Sequence, residues 1–268
     1  YGGSPEKDKP GQLVLSTTHQ LLRYAYAFDA MIIDEIDAFP FHNDPSLLFA
    51  ARRAIKPDAP TIYLTATPRR IHKRRIESNK LPVVFVPVRF HGHPLPIPTL
   101  KMCFSLKKSL QSFQFPSTFF RWYSHLRVNK ERQLLIFVPT VDIAEKLTEA
   151  LLGQLEKSGH LGLSVSSVHA SDPDRSIKVQ QFRNRKLSIL ITTTILERGV
   201  TFPSVDVVVI DAGHHVFDEA ALVQISGRAG RSPKDPNGEV IFYHDGKSEA
   251  MVQAVKSIKE MNKRGRNM

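Results

Sequence analysis

The sequence predicts an α/β fold made of two parallel-sheet lobes, the first of them incomplete. Three observations predict it. Short runs rich in Val and Ile alternate with helix-period segments, the pattern of βα units around a parallel sheet. Most of those runs are continuously apolar, as strands covered by helices on both faces are. A proline-rich stretch, His93-Pro-Leu-Pro-Ile-Pro98, interrupts the series; it cannot continue a helix and makes a poor central strand.

In chain order, Leu13–Ser16 is the first strand candidate, followed by a helix over His19–Tyr26 and a strand over Ala30–Asp34. Ser46–Ile55 has helical periodicity with Ser46 as its cap; Ile62–Thr65 is again a strand, Arg69–Asn79 a helix and Val83–Val88 a strand. Residues 1–98 then form the latter part of the first lobe, ending in the stiff proline connection, and residues 99–268 form a complete second lobe. There the strands are Leu134–Val138, Ser164–Val168, Ser188–Thr192, Val207–Asp211 and Val240–His244. The helices are Ser117–Arg127, Asp142–Lys157, Asp174–Arg183, Glu219–Ser226 and Ser248–Met261, with Asp142, Asp174 and Asp218 placed to cap three of them. The aromatic cluster around Phe119 and Trp122 reads as helix core rather than as a base-stacking platform.

Composition narrows the class. With 37 Lys and Arg against 26 Asp and Glu, the net charge is +11, a surplus that attracts polyanions, nucleic acid first among them. No apolar run reaches the roughly 20 residues that cross a bilayer. The single cysteine, Cys103, rules out an internal disulfide and a multi-cysteine zinc site in this sequence, so no zinc is expected. A buried thiol and a reducing, cytoplasmic setting are expected. Tyr1 does not read as a natural start; the opening is expected to be the middle of a longer polypeptide.

The chemistry concentrates at strand ends. Asp34-Glu35 follows an apolar strand, where α/β proteins present ligand-binding carboxylates. Nucleotide hydrolysis requires one carboxylate to hold Mg²⁺, usually through water, and one to position the attacking water. Asp34 is assigned to the metal and Glu35 to the water, with Asp37 alongside them in nucleotide binding. Thr65 and Thr67 follow the next strand; they either bond the Asp34-Glu35 turn and couple nucleotide state to motion, or form a simple turn before Pro68. Arg69, Arg70 and the basic residues after them form either a solvated helix or a nucleic-acid backbone contact. Thr140, Thr193, Thr194 and Arg198 close strands in the second lobe, where hydroxyls and backbone N–H groups can hold a sugar-phosphate chain.

Gln224-Ile-Ser-Gly-Arg-Ala-Gly-Arg231 is the most specific signal. Arg228 and Arg231 are spaced to share a helix face, and guanidinium forks match phosphate oxygens. Gly227 is expected to admit a phosphate closely, Gly199 to line the same nucleotide, and Gln224 to read the water or γ-phosphate. Gly246-Lys247-Ser248 imitates the end of a phosphate-binding loop, but the position where that loop needs its first glycine holds Ile241.

In this order these segments resemble motifs II to VI of superfamily 2 helicases. Ser16-Thr17-Thr18-His19-Gln20, Asp34-Glu35-Ile36-Asp37-Ala38-Phe39-Pro40, Leu64-Thr65-Ala66-Thr67-Pro68, Tyr1-Gly2-Gly3-Ser4 and Arg89-Phe90-His91-Gly92 narrow the resemblance to the ComFA family. That resemblance implies two RecA-like lobes and an ATP- and Mg²⁺-dependent motor on single-stranded DNA, working with other competence proteins to import transforming DNA. It adds His19 to the expected DNA contacts. The family's phosphate-binding loop and four-cysteine zinc module are not in these 268 residues, so the chain alone is expected to hydrolyse ATP poorly or not at all. Two alternatives stand beside this: another superfamily 2 motor, acting in replication restart or on RNA, and a non-catalytic DNA-binding scaffold.

Overall fold

The computed structural model describes residues 11–38, 40–89, 91–197 and 199–266. The chain divides between Val83 and Val84 into two compact units. The expected boundary at residue 98 lies inside the second unit, because the stretch before it packs there.

In the first unit, β1 (Met31–Ile33) and β2 (Thr61–Tyr63) pair in parallel, with Met31 opposite Thr61. Helix α1 (Pro45–Ala54) supplies the core through Leu47, Ala50 and Ala54, each fully buried beside Met31 and Ile33. Asp44, not Ser46, caps α1: its carboxylate accepts the Ser46 N–H at 2.9 Å, and Pro45 takes the first helical position. The expectation of strands covered on both faces fails here. Ile32 and Ile62 remain 65% and 51% exposed, since α1 covers one face only. Leu13–Ser16 forms no strand, and the first helix is a 3₁₀ segment over Thr18–Arg23. Helix α2 (Arg70–Glu77) follows β2 and buries none of its side chains.

The second unit is built on six parallel strands in the order β3-β8-β7-β4-β6-β5. They are β3 (Thr99–Met102), β4 (Gln133–Phe137), β5 (Val165–Val168), β6 (Ile189–Thr192), β7 (Val205–Val209) and β8 (Val240–His244). Alternation along β4 explains its unbroken apolar run: Leu135 and Phe137 enter one core, Leu134, Ile136 and Val138 the other. Helices α3 (Leu106–Gln111), α4 (Ser117–Arg121), α5 (Val141–Lys157), α6 (Arg175–Arg183), α7 (Glu219–Ser226) and α8 (Glu249–Arg266) complete the unit. Phe119 and Trp122 are core, as expected, and so is Cys103 at 4% exposure. Val83–Val88 forms no strand; the edge strand beside β8 is β3, which follows the prolines. Among the described residues no helix is long and apolar enough to cross a membrane.

A buried ionic network ties the amino ends of the strands together, and no sequence pattern announced it. Asp206 on β7, wholly buried, accepts Arg127 Nε at 2.7 Å and Arg132 Nη1 at 3.3 Å. Arg132 also grips Asp235, donating from Nε at 2.8 Å. Such a network is costly to desolvate and stable only when complete.

Candidate functional site

At the carboxyl end of β1, Asp34 is exposed and Glu35 half-buried. The Asp34 Oδ1 accepts the Glu35 N–H at 2.8 Å, and Glu35 sits at φ 51°, in the left-handed region. That turn lifts the two carboxylates off the strand. A water-mediated Mg²⁺ fits an exposed Asp34 carboxylate; no group of three or more ligating side chains stands among the described residues to hold a metal by itself.

The threonines after β2 choose a different partner from the expected one. Thr65 Oγ1 donates to Asp37 Oδ1 at 2.6 Å and Thr67 Oγ1 to Oδ2 at 2.8 Å, so they bond Asp37 rather than the Asp34-Glu35 turn. Asp37, at 3% exposure, is therefore a buried anchor between the two loops, both of its carboxylate oxygens accepting from the threonines. Arg69 Nη2 donates to the Asp37 carbonyl at 3.1 Å, so this arginine supports the same anchor, whereas Arg70 stands exposed at the first position of α2. His19 is exposed on the 3₁₀ segment.

In the second unit, Thr140 caps α5, its Oγ1 accepting the Ile143 N–H at 3.2 Å. Thr193 and Thr194 open the 3₁₀ turn after β6. Because β4 and β6 are neighbours, with Phe137 opposite Thr192, these three threonines gather at the carboxyl edge of one strand pair. Gly199 is exposed at φ +74° with open space about it. Arg198 lies outside the described residues, as do Phe39, Phe90 and the Tyr1–Ser4 segment.

The two arginines after α7 do not share a face. Arg228 is 2% exposed and turned inward: Nε donates to the Glu197 carbonyl at 3.0 Å, Nη2 to the same oxygen and Nη1 to the Val200 carbonyl. It straps down the loop after β6. The helix ends at Ser226, so the i, i+3 geometry expected of a helix lapses before it reaches Arg231. Arg231 is half-buried, with Nε on the Gly227 carbonyl at 2.8 Å and Nη1 on Thr201 Oγ1 at 3.2 Å. Gln224 lies half-buried one turn upstream on α7.

The glycines serve the chain's own backbone. A Cβ on Gly230, at φ +60°, would lie 2.0 Å from the Pro236 carbonyl oxygen. Gly227 is buried at the end of α7, where a Cβ would meet the Gln224 carbonyl at 3.3 Å and Leu95 at 3.7 Å.

Sequence reasoning missed Arg89. It donates from Nε to His93 O at 3.2 Å, from Nη1 to Ala229 O at 3.1 Å and from Nη2 to Pro94 O at 2.6 Å. Burial first, then the neighbouring Arg231, pull its guanidinium down to about 10. The sequence marked it only as part of Arg89-Phe90-His91-Gly92 ahead of the prolines, with no role attached.

Residues 118–233 match the helicase conserved C-terminal domain. The chain is 45% identical to competence protein ComFA of Bacillus subtilis, over 98% of this chain and 55% of that protein. It is 41% identical to ComFA of Streptococcus pneumoniae, over 94% of this chain and 57% of that protein. The chain thus spans about half the length of the curated relatives it matches. Among solved structures, the helicase Lhr of Mycobacterium smegmatis bound to ssDNA and AMP-PNP aligns over 92% of this chain and 32% of its own, with a TM-score of 0.59 at 19% identity. The fold is that of RecA-like helicase domains.

Proposed function

From a chain that matches ComFA competence proteins along nearly its whole length, we propose that it is part of an ATP-dependent single-stranded-DNA translocase that helps competent bacteria import transforming DNA. The observation that carries this reading is the match to ComFA competence proteins over 98% and 94% of this chain, supported in the first unit by strand-end Asp34 and Glu35 and in the second by an inward Arg228 that fixes the loop beside Arg231. Asp34 holds Mg²⁺ through water, Glu35 orients the attacking water, and Arg231 and Gln224 meet the phosphates. Arg228 is reassigned from phosphate contact to positioning. Asp37, Thr65 and Thr67 link the carboxylate turn to the basic helix α2.

Single-stranded DNA lies along the carboxyl-edge threonines 140, 193 and 194, with His19, Arg70 and Arg198 on its phosphates. The protein works in the cytoplasm beside other components of the uptake machinery. No phosphate-cradling loop occurs in these 268 residues, and the chain by itself does not turn over ATP.

The test is MgATP hydrolysis by this chain, with and without single-stranded DNA, alongside DNA binding at several salt concentrations. Salt-sensitive DNA binding without turnover is expected. Turnover abolished by Glu35→Gln would mean that another segment cradles the triphosphate, and a strong preference for RNA over DNA would favour a different superfamily 2 motor.

A further inference from the structure

The stretch from Val84 to Pro98, which the sequence reads as a first-lobe strand over Val83–Val88 and a proline connection over His93–Pro98, belongs to the second unit and is fastened there at several points. Asn262, 6% exposed on α8, accepts the Leu95 N–H and donates to the Leu95 carbonyl, both at 2.8 Å. Arg264 stacks on Phe85 with 4.6 Å from guanidinium carbon to ring centroid. A Cβ on Gly265 would come 3.1 Å from Val88. The remaining fastening reaches the arginine turn itself. Arg89 spreads its guanidinium over the carbonyls of His93 and Pro94 on its own segment and of Ala229, directly after Arg228 and two residues before Arg231.

A planar fork that joins three carbonyls sets both distance and orientation, which a single ammonium does not. The Ala229 carbonyl belongs to a turn with little freedom: Gly230 is wedged against Pro236, and Arg228 is locked onto Glu197 and Val200. Arg231 leaves that turn directly. We propose that Arg89 is a positioning residue for Arg231, holding the 229–231 turn through the Ala229 carbonyl so that the Arg231 guanidinium stays in its working orientation. The neighbouring positive charges of Arg89 and Arg231 repel each other, so Arg89→Lys, which keeps the charge without the fork, does not restore the hold on the turn. The proposal rests on the reading that Arg231 acts on the phosphates.

Two measurements test it. Hydrogen exchange on this chain compares the wild type with Arg89→Ala. Faster exchange confined to residues 227–232, with β4, β6 and β7 unchanged, is expected; unchanged exchange at 227–232, or loss of protection throughout the sheet, overturns the proposal. In protein with DNA-stimulated MgATP turnover, Arg89→Ala should lower kcat by roughly ten- to a hundredfold and leave the KM for ATP nearly unchanged. Arg89→Lys should fail similarly, because it keeps the charge and loses the fork. Arg264→Ala, which loosens the same segment at Phe85, should keep wild-type kcat. Full activity in Arg89→Ala, or rescue by Arg89→Lys, overturns the proposal. Absence of turnover in a longer wild-type protein that carries a phosphate-binding loop would count against the functional reading alone, and the exchange comparison on this chain would then decide whether Arg89 holds the turn.

Discussion

Arg228 Nε donates to the main-chain carbonyl of Glu197 at 3.0 Å across 31 residues of sequence. That bond turns one arginine of the pair into an internal strap and leaves the other, Arg231, at the half-buried surface. Buried carbonyls that lose such a donor each cost about 1–3 kcal/mol.

The two arginines should therefore separate by experiment. Arg228→Ala is expected to lower the melting temperature by several degrees, at roughly 2–4 °C per kcal/mol for a unit of this size. Arg231→Ala should melt within about 0.5 kcal/mol of the wild type, while in a longer protein that carries a phosphate-binding loop the same substitution lowers DNA-stimulated turnover by roughly 10³ or more. Equal melting temperatures for the two variants would contradict the inward role of Arg228.

Gly230 and Gly199 both carry positive φ, yet they should respond differently to alanine. At Gly199 the space is open, so Gly199→Ala costs only backbone strain, on the order of 1 kcal/mol. Gly230→Ala meets the Pro236 carbonyl at 2.0 Å and is expected to cost several kcal/mol or to prevent folding. Chemical denaturation of both variants reads the difference.

The Asp37 anchor predicts a coupling. In a double-mutant cycle of Asp37→Asn with Thr65→Val, the interaction energy read from urea unfolding should be about 0.5–3 kcal/mol. An additive result would mean that the 2.6 Å contact carries no stability.

Acid should weaken the second unit through Asp235. The Arg132 hydrogen bond holds the Asp235 carboxyl below its ordinary 3.8, Ser204 adding to it and burial opposing. A depressed folded-state value stabilises above the unfolded value and loses that stability as pH falls through the folded one. Asp235→Asn should thus be clearly less stable than wild type near neutral pH, and the gap should close below pH 3.8. A gap constant across pH would show that charge is not the cause.

Much of the site was legible locally. Asp34-Glu35 after an apolar strand, Thr140 and Thr193 at strand ends, and Cys103 within an apolar run were placed correctly, because strand ends and burial follow from nearest-neighbour patterns. The caps were less so: Asp44 and Ser46 are both sound cap residues, and the choice fell to the one that precedes Pro45.

By itself the sequence determined the parallel α/β class, the order of strand-end motifs and the net positive charge, since each depends on composition or on spacings of a few residues. Only the tertiary structure decided which arginine turns inward, which aspartate the threonines hold, and that Arg89 reaches Ala229 across 140 positions. Those choices depend on carbonyls and carboxylates brought close by folding, and a hydrogen bond gives no sign in the sequence of the distant partner that will satisfy it.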